Sequence, residues 1–394
     1  MIAIDVVILA GSRTPQGRVN GQLASLTAVQ LGSAAITGAL ERAGVAPDQV
    51  DVVLMGQVLQ AGAGQNPARQ SSIAAGIPWN VPAMTLNKVC LSGLAAIIDA
   101  ARLVRLGEAD VVVAGGQESM TRAPHLLPGS RTGWAYGTVS MIDHAAHDGL
   151  TDAFDGLSMG LSTELANEKL GLTRLEQDAV AAASHQRTAA AIDADVFAHE
   201  ITPLSVPQRK GDPLVLTTDE GVRGESTTDT LGRLRPAFST EGNITAGNAA
   251  PLSDGASAVV VTSKAWAEAH GLSWLAVIEA SGQVAGPDNS LHSQPANAIA
   301  SALTKQGWTA QDLDIVEINE AFASVVVQSS KELGVSADRV NIHGGGIAIG
   351  HPIGASGARV ALHAALELSR RGGGKAAVAL CGGGGQGEAL LLSL

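Results

Sequence analysis

The chain opens on a short apolar run, MIAIDVVILAGSRTP, that reads as a buried strand. It has neither the basic start nor the small-residue cleavage site of a signal peptide. Further along, apolar positions recur at helical spacing in AITGALERAG (35–44), SGLAAIIDAARLVRLG (92–107), AIASALTKQG (298–307) and SGARVALHAALELSRRG (356–372). The second of these is apolar almost all round, as befits a helix buried on every side. Each ends at a glycine, a common helix stop. The runs ADVVVAGG (109–116) and KAAVALCGGGG (375–385) read as buried strands that end in glycines.

These elements form two copies of one pattern. At an offset of 263, Ala35, Ile36, Ala39, Leu40, Gly44 and Asp51 meet Ala298, Ile299, Ala302, Leu303, Gly307 and Asp314. Asp51 to Gly93 spans 42 positions and Asp314 to Gly357 spans 43. The pattern predicts an α/β protein of two duplicated units, each a mixed, mostly parallel sheet covered by helices. Residues 121–244 do not repeat and read as an insertion rich in loop-like charge, such as RKGDPLVLTTDEGVRGESTTD. The predicted division is therefore 1–120 for the first half, completed by 245–271, then 121–244 as a loop domain, then 272–394 for the second half.

Composition narrows the chemistry. Apolar residues make up 45% and charged residues 16% of 394 positions, a well-packed globular chain. The formal net charge of −12 argues against a nucleic-acid partner. No apolar stretch reaches the ~20 residues a membrane helix needs. The two cysteines, Cys90 and Cys381, make no disulfide framework, which points to free thiols in a reducing, cytoplasmic setting. No His, Cys and Asp cluster has metal-ligand spacing, and no GxxxxGK[ST] loop is present.

Taken singly, each cysteine is a small buried hydrophobe, His351 a loop histidine, Asn319 a helix cap and the glycine run a turn. Their positions argue otherwise. Cys90 lies just before the helix opened by Ser92-Gly93, where helix dipole and free N–H groups favour a thiolate. His351 lies just before the equivalent helix of the second copy. Cys381 and Asn319 end two of its strands. All four fall on one edge of the units, where open α/β sheets place ligands. A thiol, an imidazole to take its proton, a second thiol for acid and base work, and glycine N–H groups for an oxyanion suit acyl transfer between thioesters. His125, His144 and His147 read as loop or surface histidines of the insertion, and His343 as a support for the His351 loop.

The stretches NKVCLSG (87–93), GGQESMTRAPH (115–125), DGLTDAF (148–154), RPAF (235–238), TAGNAAPLSDGA (245–256), NEAFA (319–323), GGGIAIGHPIGASG (344–357) and CGGGGQG (381–387) resemble the thiolase family, in its order and over essentially the whole length. The resemblance implies a five-layer α-β-α-β-α fold of duplicated units with an inserted loop domain. It implies acetyl-CoA C-acetyltransferase activity: reversible Claisen condensation of two acetyl-CoA, or cleavage of a 3-oxoacyl-CoA by CoA, with no bound cofactor. It assigns Cys90 as the acylated nucleophile and His351 as its base and one donor of an oxyanion hole. Asn319 would hold a water that is the second donor, and Cys381 would move the α-proton. The N–H groups of Cys90 and Gly383 would form a second hole. Arg223, Leu234 and Phe238 would meet the adenine and pantetheine of CoA, and Leu150, Met159, Ala246, Ala250 and Phe322 would line the same site. A homodimer or homotetramer is implied, with 122–140 as the loop that pairs dimers.

Two positions depart from the family pattern. Ser158 stands where many short-chain members have His, and Ala250 where many have Ser. The run GPDNSLHSQPANAI (286–299) looks longer than in short-chain members and bears on the acyl end of the pocket. The alternatives are a broader-chain 3-ketoacyl-CoA thiolase, a decarboxylating 3-oxoacyl synthase, which has no second catalytic Cys, and a non-catalytic acyl-CoA carrier.

Overall fold

The computed structural model describes residues 4–208 and 210–394. Nine strands run side by side: β1 (Val6–Arg13), β2 (Val52–Gly56), β3 (Ala83–Leu86), β4 (Val111–Ser119), β5 (Ser253–Ser263), β6 (Ala276–Ala285), β7 (Ile315–Ile318), β8 (Lys375–Gly382) and β9 (Gln386–Ser393). Their order is β3-β2-β4-β5-β1 for the first unit and β6-β9-β8-β7 for the second, joined where β1 pairs β6 at Val6–Ile278, Val7–Val277 and Ile8–Ala276. In place of a strand equivalent to β3, the second unit has one parallel bridge from Val316 to Val340.

The sheets are mixed, but antiparallel pairs outnumber parallel ones, contrary to the expectation from the strand runs. Only β2–β3, β2–β4 and β7–β8 are parallel. The reason is the return strands. β5 comes back beside β4 and β1, and β9 folds directly onto β8, and both run antiparallel. A strand flanked by helix layers is apolar on both faces in either orientation, so its composition does not reveal direction.

Seven helices matter to the site: α1 (Ala28–Ala43), α2 (Ser92–Leu106), α3 (Met159–Leu170), α4 (Arg174–Asp193), α5 (Gln294–Gln306), α6 (Ala323–Leu333) and α7 (Ser356–Arg371). Alternation along the strands sorts them into layers. Val111 and Val113 face α1, while Val112 and Ala114 face α2. Ala377 and Ala379 face α5, while Ala376, Val378 and Leu380 face α7. Helices α2 and α7 thus share one core between the sheets, the central layer of five. Leu94, Ile97 and Leu362 are fully buried there. Each such side chain contributes about 1.5–3 kcal/mol of burial, and Leu94→Ala would cost about 2–5 kcal/mol.

The duplication extends to hydrogen bonds. The Asp51 carboxylate accepts from the Asp110 and Val111 N–H groups at the start of β4, and the Asp314 carboxylate accepts from Lys375 N–H at the start of β8. Most of the chain between β4 and β5 lies outside the layers and carries α3 and α4. α3 is fastened from below by Glu164, which accepts from the Asn243 and Ile244 N–H groups.

Candidate active site

The two central helices begin against each other. A Cβ on Gly357 would lie 2.4 Å from the Leu94 nitrogen, and one on Gly93 would lie 2.8 Å from the Ala358 nitrogen. Only glycine allows that approach, so Ser-Gly at both helix starts brings the preceding turns, 87–91 and 351–355, to one place. The second turn also seats on β4, where a Cβ on Gly116 would lie 2.0 Å from the Gly354 oxygen. Glu118, at the end of β4, accepts from the N–H groups of Val58, Leu59 and Gly354 and clamps the turn from behind. Burial pushes this carboxyl up to about 7, against the pull of those three donors.

Cys90 sits on a strained turn. Val89 has φ 51°, a left-handed conformation rare for a β-branched residue. Ser92 closes the turn, accepting from Lys88 N–H and donating to the Val89 carbonyl. Lys88 pairs with the buried Glu388 on β9 at 2.9 Å. The helix N-terminus does not make Cys90 acidic. Burial pushes its thiol up to about 11, and the Cys90 and Gly383 N–H groups offset this only in part. Desolvation dominates because the thiol faces an apolar cavity rather than water.

His351 is buried and neutral: burial first, then the nearby Arg359, depresses it to about 3. Its tautomer follows from its partners. Ser356 Oγ donates to the Pro352 carbonyl at 3.0 Å, so it accepts from His351 Nδ1–H at 2.6 Å. Nε2 is left as the basic nitrogen. Asn319, just beyond β7, is anchored by its N–H on the Ala379 carbonyl. Its Nδ2 lies 3.4 Å from Nε2 and 3.5 Å from Nδ1, over the ring rather than in line with either lone pair. Its Oδ1 is buried and has no donor among the described residues.

Cys381, near the end of β8, is buried, and burial and then Cys90 hold its thiol well above the usual range. One small cavity of about 70 Å³ touches Cys90, His351, Cys381 and Gly383 together. Leu150, Met159, Ala250 and Phe322 also line it. Asn319 stands behind it, against His351. Leu234, Phe238 and Ala246 lie outside on an exposed rim. Phe238 stacks edge-on to Phe322 with ring centroids 6.4 Å apart, and Leu234 packs on Gly247 beside Ala246. Arg223 stands apart from the cavity lining, exposed, with its N–H on His185 Nδ1.

The chain as a whole has counterparts among known proteins. Residues 6–265 match the family model for the thiolase N-terminal domain and residues 272–394 that for the thiolase C-terminal domain. The chain belongs to the thiolase family. As a thiolase it is 58% identical to a probable acetyl-CoA acetyltransferase of Mycolicibacterium smegmatis, over 98% of this chain and 100% of that protein. It is 52% identical to the acetyl-CoA acetyltransferase of Pseudomonas aeruginosa, over 99% of both. The crystal structure of the Bacillus anthracis acetyl-CoA acetyltransferase superposes with a TM-score of 0.96 at 37% identity, covering 99% of each chain. The five-layer α/β fold expected of a thiolase is the one observed. Among the described residues, no group of three or more His, Cys, Asp or Glu could hold a metal ion, and no helix is long and apolar enough to cross a membrane.

Sequence reasoning missed several parts of this site. Val89 carries no signal, since its backbone strain is invisible in composition. Ser356 was legible only as a helix start, and Glu118 only as part of the stretch 115–125, beyond the glycines where the predicted strand ends. Ser158 proves to be the N-cap of α3, accepting from Leu161 N–H. His144, expected in a loop or at the surface, is buried: Nε2 accepts from Ala61 N–H at 3.2 Å and Nδ1 meets Asp148 at 2.6 Å. His343, read as a loop support, has Nδ1 3.1 Å from His363 Nε2.

Proposed function

We propose that this chain is an acetyl-CoA C-acetyltransferase that works through an acyl-Cys90 intermediate. The observation that carries the reading is the single cavity in which Cys90, from the first unit, meets His351, Cys381 and Gly383 from the second. In the resting pair both partners are neutral. As Cys90 attacks a thioester carbonyl, its proton passes to His351 Nε2, and the C–S bond to CoA breaks from the tetrahedral intermediate. The N–H groups of Cys90 and Gly383 stabilise the oxyanion of that intermediate. His351 returns its proton to the departing CoA thiolate.

A second acetyl-CoA then enters. Cys381, its own proton first taken by His351 Nε2, removes the α-proton as a thiolate, and the enolate oxygen is stabilised by His351 Nε2–H and by a water that donates to Asn319 Oδ1. The enolate carbon attacks the acyl carbon, and the Cys90 thiolate leaves, taking back the proton from His351 Nε2. Thiolysis runs the same steps backwards. A raised thiol pKa suits Cys381, because only a strong base can take a proton from carbon. Leu150, Met159, Ala250 and Phe322 wall the reacting end, and the rim of Leu234, Phe238 and Ala246 receives pantetheine, with Arg223 toward the adenine. The small cavity favours a short acyl group over the broader-chain alternative.

In the same reading residues 121–244 form the loop domain that holds CoA, between halves 1–120 with 245–271 and 272–394. The chain acts in the cytoplasm as a homodimer or homotetramer. The fully exposed Tyr136 and half-exposed Trp134 in the 122–140 loop supply apolar surface for pairing dimers.

Titrating acetoacetyl-CoA with CoA and following loss of its enolate absorbance tests the activity. Turnover supports the reading, and binding without turnover overturns it in favour of a carrier. Condensation with malonyl-CoA but not acetyl-CoA would favour a decarboxylating synthase.

A further inference from the structure

The run 286–299 brings an unusual pair into the core. His292 Nε2 lies 2.7 Å from Asn167 Oδ1, and both residues are buried. Asn167 Nδ2 points to Gln177 Oε1, so Oδ1 is the acceptor and His292 donates from Nε2. Nδ1 then carries a lone pair with no donor among the described residues. Burial keeps the ring neutral, depressing it to about 4. A histidine buried with one nitrogen unserved is a poor way to fill space, because an apolar side chain would leave no polar atom unpaired.

Its position explains what the contact achieves. His292 follows Leu291, which lines the reacting cavity, and Asn167 lies on α3, whose first residue, Met159, lines the same cavity. Leu291 packs in one cluster with Cys381, Phe322 and Met159. The backbone of His292 is fixed too, its carbonyl accepting from Ser329 Oγ on α6 at 2.7 Å. Residue 292 is therefore tied to α6 by its main chain and to α3 by its ring. We propose that His292 is a positioning residue which, through Asn167, holds Leu291 and Met159 together as the wall that closes the cavity behind a short acyl group. This inference rests on the acetyltransferase reading above and names what sets its chain-length selectivity.

The test compares thiolysis of acetoacetyl-CoA and 3-oxohexanoyl-CoA by wild type, His292→Leu, Asn167→Leu and His292→Gln. Both leucine variants fill the space but break the hydrogen bond, while glutamine keeps an N–H at similar reach. The preference for the shorter substrate, as a ratio of kcat/KM values, is expected to fall at least about tenfold in both leucine variants, the scale at which a pocket senses added methylenes. His292→Gln is expected to stay within about twofold of wild type, since its N–H keeps the wall in place. A merely structural contact would lower both substrates alike and leave the ratio unmoved, and that result overturns the proposal. If His292→Leu does not fold, Asn167→Leu decides alone by the same ratio. A wild type that cannot cleave acetoacetyl-CoA overturns the acetyltransferase reading, whereas an active wild type whose variants keep its selectivity overturns only the role of His292.

Discussion

Gly357 and Gly93 open the two central helices in direct contact, so tightly that a methyl group on Gly357 would lie 2.4 Å from the Leu94 backbone nitrogen. Backbone cannot yield there without moving one helix. Gly357→Ala is therefore expected to separate the Cys90 and His351 turns. The predicted outcome is a loss of about a hundredfold in kcat/KM, the scale of a 1 Å misplacement, with a lowered Tm. Steady-state kinetics on folded variant protein checks it.

Ser356 fixes which His351 nitrogen is basic. Ser356→Ala removes the acceptor for Nδ1–H and frees the ring to take the other tautomer. The rate of Cys90 acylation by acetyl-CoA is expected to drop about a hundredfold, a typical general-base contribution, with little change in substrate binding. Rapid-quench mass measurement of the acyl-enzyme reads the rate.

The pH dependence of Cys90 follows from two shifts of opposite sense. The thiol is raised to about 11 and His351 is lowered to about 3, so at neutral pH the resting pair is uncharged. Iodoacetamide reacts with the thiolate, whose fraction grows about tenfold per pH unit below the thiol pKa. Alkylation of Cys90 in the free enzyme is thus expected to climb steadily from pH 6 to 9. A flat profile over that range would mean a preformed thiolate–imidazolium pair.

Much of this site was legible beforehand, and the reasons are local. Cys90, His351, Cys381 and Asn319 each stand at an element boundary, and boundaries with glycine or serine leave a trace in sequence. The repeat placed them on equivalent edges of two units. Orientation of the strands was not legible, because β5 and β9 are apolar on both faces whichever way they run. Nor was the ionisation of Cys90. The helix start can be read from sequence, but the apolar cavity that desolvates the thiol is built from residues as distant as Leu150, Leu291 and Phe322. His144 and His292 look like loop residues in sequence and are buried only because partners over 80 positions away close on them.

Glu118 offers a stability signature. Its carboxyl is raised from an ordinary value near 4.5 to about 7 in the folded protein. Between those values the unfolded chain has released its proton and the folded chain has not, so stability falls as pH rises from about 4.5 to 7 and levels off above. The shift corresponds to roughly 3 kcal/mol across that window. Glu118→Gln lacks the titration. The Tm of wild type relative to this variant is expected to decline between pH 5 and 7, which calorimetry at several pH values measures.

The two cysteines have separate tasks, and Cys381→Ala separates them. Mixed with radiolabelled acetyl-CoA, this variant is expected to form acyl-Cys90 at close to the wild-type rate yet to release no acetoacetyl-CoA, while Cys90→Ala forms no acyl-enzyme at all. Full condensation activity in Cys381→Ala, or acylation persisting in Cys90→Ala, would contradict the division of labour between the two thiols.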